Sequence, residues 1–201
     1  MGSIYVIRHC QSIANSRRIY NCTIKGDEGL TELGKAQAAE LAGHFAGRKV
    51  AKVYSSPFLR TRQTAERIAG AVGSVVELVE QFGELGCGDW DGRSESEIIE
   101  GFPDAWKGWH YDPQNNPIPG GETLLEVQAR VLPEFERLAK RHASEDFAIV
   151  THYCVLNVIV CSLVSSLASF RSFDTGNGTV AEISMENVPR LRSFGSPLNH
   201  R

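Results

Sequence analysis

The sequence lacks a long apolar segment and an excess of positive charge. The apolar run at residues 4–7 is too short for a secretory signal, and no run approaches the roughly 20 residues that a membrane-spanning helix needs. With a formal net charge of −3 and a pI of about 6.1, the chain offers no long-range positive field to nucleic acid or to an anionic membrane. We therefore expect a cytoplasmic protein that binds neither nucleic acid nor a membrane.

Cysteines are also few, and they do not form paired motifs. The five cysteines stand at positions 10, 22, 87, 154 and 161, without a C-x-x-C pair. An odd number at irregular spacing is not typical of a disulfide framework or of a zinc ribbon. The sequence therefore predicts neither.

Short apolar runs alternate with helix-forming stretches along most of the chain. Buried strands are predicted at residues 4–7, 50–54, 75–79 and 147–151, and a terminal hairpin at 179–185 and 190–194. Helices are predicted from the cap Thr31 onward, from 58 to about 70 or 73, from about 123 to 142, and at 155–164. Strands that alternate with helices predict an α/β fold, with a mainly parallel sheet and helices on both faces. The length of 201 residues fits a single domain over residues 1–201.

Two of the predicted strands end at a histidine. Arg8 and His9 follow the first strand, and His152 follows the strand at 147–151. In open α/β sheets, ligands bind at the carboxyl ends of the strands. A guanidinium can clamp an oxyanion with two hydrogen bonds, and an imidazole can attack or exchange a proton near neutral pH. The pattern predicts a phosphate site; taken alone, each residue could equally be a solvated charge or an ordinary histidine at a strand end.

Three segments between the predicted elements are irregular. Residues 12–30 are polar, and residues 81–92 contain four glycines. Residues 101–121 combine four prolines with Trp106, Trp109 and Tyr111. Long loops inside a compact domain are usually functional, so we predict that segments 12–29 and 101–121 form a lid or pocket wall.

Six motifs in order along the chain resemble those of the histidine phosphatase superfamily, in its branch of phosphoglycerate mutases and related small-molecule phosphatases. These motifs are Arg8-His9-Cys10-Gln11 with Asn15, Leu30-Thr31-x-x-Gly34-x-x-Gln37-Ala38, Ser55-Ser56-Pro57-x-x-Arg60-x-x-Gln63-Thr64-Ala65, Glu84 with Gly88-x-Trp90-x-Gly92, Gly120-Gly121-Glu122-Thr123, and Val150-Thr151-His152. The resemblance implies a three-layer α/β/α sandwich, a phosphohistidine intermediate, and neither a metal nor another cofactor.

The resemblance also implies roles for individual residues. His9 matches the nucleophile, and Glu84 matches the proton donor. The residues assigned to the phosphate site are Arg8, Asn15, Arg60, Thr151 and His152. Further pocket candidates follow from position alone: Arg17 and Arg18 for a second acidic group on the substrate, and Trp106, Trp109 and Tyr111 for stacking. The alternatives are that the two arginines belong to a solvated face and that the aromatic residues pack within the lid.

The chemistry of phosphoryl transfer fits these roles. It needs an in-line nucleophile and donors on the phosphoryl oxygens, which Arg8, Arg60 and a protonated His152 would supply without a metal. His9 must be neutral at the attacking nitrogen, so its other nitrogen must donate to a fixed acceptor such as a backbone carbonyl. Glu84 must be protonated first, to give its proton to the leaving alkoxide. A His/Cys metal site at the two strand ends is disfavoured, because the two arginines would repel the cation.

The chain departs from the family pattern beside both histidines. Cys10 stands where glycine is usual, and Tyr153 and Cys154 stand where glycines usually follow the second histidine; Glu28-Gly29 replaces a proline. One hypothesis is that Cys10 is a reactive thiolate that can pair with Cys154; the alternative is that both are inert packing residues.

The sequence thus predicts a metal-independent phosphatase that acts on a small phosphorylated metabolite. Two alternatives stay open: a mutase that returns the phosphoryl group to its substrate, and a non-catalytic regulator that binds phosphate. Neither the substrate nor the oligomeric state is indicated.

Overall fold

The computed structural model describes residues 2–186 and 188–198. Its six strands are β1 (Ser3–Arg8), β2 (Val50–Ser55), β3 (Val76–Leu78), β4 (Asp146–Thr151), β5 (Val180–Met185) and β6 (Pro189–Gly195). They form one sheet in the order β3-β2-β4-β1-β5-β6. The first four strands of this order run parallel, and β5 and β6 form an antiparallel hairpin that pairs with β1 through β5. The predicted mainly parallel sheet and terminal hairpin are confirmed.

Seven α-helices of the described residues connect or cover the strands. They are α1 (Ile13–Ser16), α2 (Glu32–Phe45), α3 (Leu59–Val72), α4 (Glu95–Gly101), α5 (Pro103–Tyr111), α6 (Leu124–Arg141) and α7 (Tyr153–Val164). Local sequence sets several of their ends: the Thr31 side chain accepts the N–H of Gly34 at the start of α2, and Gly73 ends α3 with a left-handed φ of 67°. In the described ranges, no helix has both the length and the apolar composition to cross a membrane.

Alternate strand residues face two separate helical layers. Tyr5 and Ile7 of β1 pack in one apolar cluster with residues of α2 and α3, whereas Ile4 and Val6 pack in the other with residues of α6 and α7. Side chains of a strand point alternately to opposite faces, so a strand covered on both faces is apolar throughout. The predicted three-layer α/β/α arrangement is confirmed.

The register of β1 and β4 brings the two histidine-bearing strand ends together. Arg8 lies opposite Thr151, and the backbone N–H of His9 donates to the Thr151 carbonyl at 2.9 Å. On the far side of β4, the N–H of Ser56, just beyond β2, donates to the Val150 carbonyl at 3.1 Å. Residues just beyond three parallel strands therefore meet at one edge of the sheet.

Residues 101–121 are not the long loop that the sequence predicted. Helix α5 occupies most of the first half, with Pro103 at its start. Proline suits the first turn of a helix, where its missing N–H costs no hydrogen bond. The prolines and aromatic side chains made the whole segment resemble a loop. The residues after Tyr111, which include the three remaining prolines, do lie in irregular structure.

A single disulfide joins Cys22 to Cys87 in the described part of the chain, although the spacing of the cysteines does not indicate a disulfide framework. Their Cα atoms are 5.8 Å apart, within the range that a disulfide spans, and 65 positions separate them in the sequence. The N–H of Cys22 also donates to Oδ1 of Asp91 at 2.7 Å, which ties the two loops together beside the bond. Spacing rules fail here because the two cysteines lie in loops that only tertiary packing brings together.

Candidate active site

His9 lies directly beyond β1 and is only 2% exposed. Its Nδ1 is 2.7 Å from the Cys10 carbonyl oxygen, and its Nε2 accepts a hydrogen bond of 3.2 Å from Nε of Arg60. Because an arginine only donates, Nε2 carries the lone pair and Nδ1 the proton. Burial and the guanidiniums of Arg60 and Arg8 hold the pKa of His9 well below its ordinary value. The ring is therefore neutral at pH 7, with Nε2 as its basic atom.

Arg60, in the first turn of α3, is fixed from several sides. Its Nη1 donates to Oδ1 of Asn21 at 2.5 Å and lies 3.4 Å from Oδ2 of Asp27, while Nη2 donates to the Asn21 carbonyl at 2.9 Å. The Arg60 and Asp27 side chains are 4% and 2% exposed, so this is a buried ion pair. The guanidinium also lies over the Phe58 ring, 4.5 Å from its centroid. These contacts hold the cation against His9.

His152 follows β4, and its ring centroid is 5.3 Å from that of His9. Its Nδ1 accepts from Nη2 of Arg60 at 3.2 Å, so Nε2 carries the proton and donates to Oγ of Ser56 at 2.7 Å. The pocket by itself favours the neutral form of His152, whereas phosphoryl transfer was expected to use a protonated ring beside the phosphate. Burial first, then the neighbouring Arg60, His9 and Arg8, hold its pKa well below the ordinary value.

Arg8, at the end of β1, has an incompletely paired guanidinium. Nη1 donates to the Thr175 carbonyl at 2.6 Å, whereas Nε is buried without a hydrogen-bond partner in the described part of the chain. Its Cζ lies 5.5 Å from the centroid of the Tyr153 ring. Donor capacity is therefore left for an anion in the cavity.

Glu84 lies in the glycine-rich loop, with its carboxyl group beside the first turn of α7. Its Oε1 accepts from the N–H groups of Leu85 at 2.9 Å and Cys154 at 3.2 Å. Burial raises the pKa of Glu84, although the Leu85 N–H and the guanidiniums of Arg60 and Arg8 oppose the shift. A raised pKa is what a carboxyl group needs if it is to carry a proton near neutral pH.

The loop that carries Glu84 is held by an ion pair beneath it. Arg130 of α6 donates to the carbonyl oxygens of Gly83 at 3.0 Å and Glu84 at 3.1 Å, and it pairs with Glu122 at 2.9 Å. Glu122 in turn accepts the N–H of Gly86 at 2.7 Å. This explains why a glutamate precedes the α6 cap: it fixes the backbone around Glu84.

Asn15 both caps a helix and faces the cavity. Its N–H donates to Oγ of Ser12 at 3.1 Å, and its Oδ1 accepts from the Ser12 N–H at 3.2 Å and from Nδ2 of Asn177 at 3.0 Å. Asn177 also donates to the carbonyl of His9 at 3.1 Å. Since Oδ1 is occupied as an acceptor, the Asn15 amide is oriented with its NH₂ group free to donate to a ligand.

A cavity of about 300 Å³ with mixed charge is lined by Arg8, His9, Asn15, Arg60 and Glu84, among others. Its charged lining residues are Arg8, Arg18, Arg60, Arg171, Glu84 and Glu95, and His9 and Asn15 lie between them. A cavity of this size suits a small ligand, and its arginines favour an anionic one.

Five residues predicted for the site do not line this cavity. His152 is fully buried and contacts Arg60 and Ser56 instead. The Thr151 hydroxyl donates to the Phe82 carbonyl at 2.7 Å, so it cannot also serve as a phosphate donor. Arg17 is exposed and pairs with Glu28 at 2.8 Å. Trp106 stacks on His110, and Tyr111 is 84% exposed. Of the predicted aromatic residues, only Trp109 lines the cavity, and Arg18, which lines it too, pairs with Glu95 at 3.3 Å.

Comparison with known proteins agrees with this geometry. The family model described as "Histidine phosphatase superfamily (branch 1)" matches residues 4–192. The chain belongs to the histidine phosphatase superfamily. The predicted family, and with it the class of phosphomonoester hydrolase, is confirmed.

Relatives match over the whole length of this family member. The putative phosphoserine phosphatase 2 of Hydrogenobacter thermophilus is 32% identical, over 100% of this chain and 98% of the relative. Phosphoserine phosphatase 1 of the same organism is also 32% identical, over 92% and 88% of the two chains. Among solved structures, Bacillus stearothermophilus YhfR superposes with a TM-score of 0.87 at 26% identity, over 99% of this chain and 96% of that one.

In this histidine phosphatase, the cysteines beside the two histidines are packing residues. Cys10 and Cys154 are both buried and unpaired. Burial raises the pKa of Cys10 to about 12, and burial together with Glu84 raises the pKa of Cys154 well above its ordinary value. For Cys10, desolvation outweighs the opposing effect of Thr64, so burial disfavours the reactive thiolate of the hypothesis.

Sequence reasoning missed several residues of this site. Asp27 and Asn21 hold Arg60, Ser56 holds His152, and Arg171 lines the cavity. Ser56 stood inside a quoted motif, so its place beside a strand end was a usable signal. The others lie in loops without a local pattern.

One group in the described part of the chain has metal-ligand geometry. The sulfurs of Cys22 and Cys87 and an oxygen of Asp91 lie within 4.8 Å of one another. The disulfide occupies both sulfurs, so they do not act as thiolate ligands while it is formed.

Proposed function

We propose that this phosphatase hydrolyses a small phosphomonoester through a phosphohistidine formed on Nε2 of His9. The observation that carries the proposal is the tautomer of His9. The Cys10 carbonyl holds the proton on Nδ1, and Nε2 presents its lone pair beside Arg60 in the cavity. A neutral imidazole is the nucleophilic form, and the lowered pKa favours it at neutral pH. Nε2 becomes available for attack when Nε of Arg60 releases it and donates to a phosphate oxygen instead.

In the first step, Nε2 attacks phosphorus in line with the ester oxygen, so a P–N bond forms as the P–O bond breaks. Arg8 donates to the non-bridging oxygens from its unpaired Nε–H, and Arg60 does so when it releases His9 and His152; the two cations balance the phosphate charge. The amide NH₂ of Asn15 adds a neutral donor. A phosphate dianion in contact with His152 would favour the protonated form of that ring, although the pocket by itself disfavours it.

Glu84 exchanges the proton in both steps. Its carboxyl group, with a raised pKa, gives a proton to the alkoxide that leaves. The resulting carboxylate then takes a proton from water as the oxygen attacks the phosphohistidine. The P–N bond breaks, inorganic phosphate departs, and the neutral His9 and the protonated Glu84 are restored.

O-Phosphoserine is the first ester to assay. The two Hydrogenobacter relatives are named phosphoserine phosphatases, and the cavity has the size and charge for an ester of that kind. Stoichiometric inorganic phosphate would identify a hydrolase, whereas an isomerised ester would identify a mutase. Ester binding without turnover would identify a non-catalytic protein.

The mechanism is tested by His9→Ala and by chemical trapping. We expect a loss in kcat/KM of more than about 10³-fold, because the nucleophile and its pocket act together. Wild-type protein that is denatured during turnover should contain acid-labile phosphate, which His9→Ala should lack. The matched control is His44→Ala, since His44 lies exposed on α2. Near-wild-type activity in His9→Ala would refute the mechanism.

A further inference from the structure

Arg171 is a cavity-lining arginine without an anionic partner. It lies after α7, in a folded segment that forms part of the cavity wall. In the described part of the chain, no carboxylate forms an ion pair with it. By contrast, seven other arginines of the described residues each pair with a carboxylate: Arg17, Arg18, Arg60, Arg130, Arg137, Arg141 and Arg192. A guanidinium withdrawn from water is costly unless its charge is compensated.

Three aromatic rings hold the Arg171 guanidinium in place. Its Cζ lies 5.4 Å from the ring centroid of Trp109, 5.5 Å from that of Phe170 and 5.9 Å from that of Tyr153. Nη2 donates to the Trp109 carbonyl at 2.9 Å, and Nη1 donates to the Tyr153 hydroxyl at 3.2 Å. These two bonds leave further N–H donors on the guanidinium. The cation is thus fixed in position and still able to bind an anion.

Tyr153 connects this cation to the phosphate pocket. The guanidinium carbon of Arg8 lies 5.5 Å from the centroid of the same ring that Arg171 contacts. Both arginines line one cavity, with His9 and Glu84 beside Arg8. The cavity therefore offers two separate anion-binding groups, and a molecule with two anionic groups a few bonds apart can occupy both.

We propose that Arg171 binds a carboxylate on the alcohol portion of the substrate, so that the enzyme selects phosphate esters of small hydroxy acids or hydroxy amino acids. This inference rests on the proposed function. A planar guanidinium matches a carboxylate with two parallel hydrogen bonds, which a neutral alcohol cannot form. Arg171 replaces Arg17 and Arg18 as the candidate for the second acidic group, because Glu28 and Glu95 already pair with those two arginines.

The test compares two esters that differ only in the carboxylate: O-phosphoserine and phosphoethanolamine. We expect wild type to prefer O-phosphoserine in kcat/KM, and we expect Arg171→Gln to lose at least about tenfold on it through KM. On phosphoethanolamine the same variant should change by less than about threefold, which is less than one typical hydrogen bond. Arg171→Lys should recover part of the preference, because it restores the charge without the planar fork. Arg17→Gln is the matched control.

Each ester is also measured as a competitive inhibitor of p-nitrophenyl phosphate hydrolysis, so that the preference is obtained even where turnover is slow. Equal losses on both esters in Arg171→Gln would make Arg171 a structural residue and overturn the proposal. Equal affinity of wild type for both esters, or no affinity for either, would also overturn it. None of these results tests the phosphohistidine mechanism, which is tested separately by trapping and by His9→Ala.

Discussion

Loss of the disulfide between Cys22 and Cys87 should lower the free energy of unfolding by about 4 kcal/mol at 25 °C. The bond closes a loop across a sequence separation of 65, and the loss of chain entropy in the cross-linked unfolded state gives this magnitude. The native contacts beside the bond, such as the hydrogen bond from Cys22 to Asp91, do not depend on it. The effect should therefore come mainly from the unfolded chain.

Equilibrium unfolding in urea provides the measurement, with wild type compared in the presence and absence of a thiol reductant. The midpoint should fall on reduction, and the m-value should rise, because a chain without the cross-link exposes more surface when it unfolds. The double variant Cys22→Ser/Cys87→Ser should behave like reduced wild type and be insensitive to the reductant. Thiol titration of the unreduced, denatured protein should find only the free cysteines, Cys10, Cys154 and Cys161.

Two results would refute this reasoning. If all five cysteines of the sequence titrate without reductant, the bond does not form. If the bond is present but its reduction leaves both the midpoint and the m-value unchanged, the loop that it closes does not restrict the unfolded chain.

Two further predictions concern the site. Glu84→Gln should lose far more rate on O-phosphoserine than on p-nitrophenyl phosphate, because p-nitrophenolate leaves without a proton. Equal losses on both esters would assign Glu84 another role. Since Glu84 must be protonated and its pKa is raised, the wild-type rate on O-phosphoserine should fall as the pH rises through that pKa. This pH dependence should vanish in Glu84→Gln. Asp27→Asn leaves the buried Arg60 without its counterion and should lower the free energy of unfolding in urea by about 3 kcal/mol. An unchanged midpoint would mean that the two Asn21 bonds suffice.

The edge of the sheet where the site lies could be predicted from the sequence. Four apolar residues before Arg8, and a similar run before His152, are the pattern of strands buried on both faces. Parallel strands end at the same edge, so residues that follow them must be neighbours whatever the details of packing. The cap Thr31 and the terminal glycine Gly73 are local signals of the same kind, since each acts on its own backbone.

Gly88, beside the site, has an unusual backbone that the sequence indicates but does not explain. The sequence indicates unusual backbone around Gly88, and the structure shows that its φ is 45°. A Cβ there would lie 2.3 Å from the carbonyl carbon of Gly120 and the carbonyl oxygen of Pro119. Two distant loops thus cross at van der Waals contact, and only their meeting explains why both carry glycine.

Charge states and long-range pairs were decided by the tertiary structure alone. The disulfide, the Arg60–Asp27 pair and the aromatic cage of Arg171 each join residues that are far apart in the sequence, and at least one partner in each lies in a loop or turn without a periodic pattern. His152 was expected to be protonated because of the phosphate chemistry, but burial beside Arg60 favours the neutral ring. Desolvation depends on every atom that surrounds a group, whereas the sequence specifies only its neighbours along the chain.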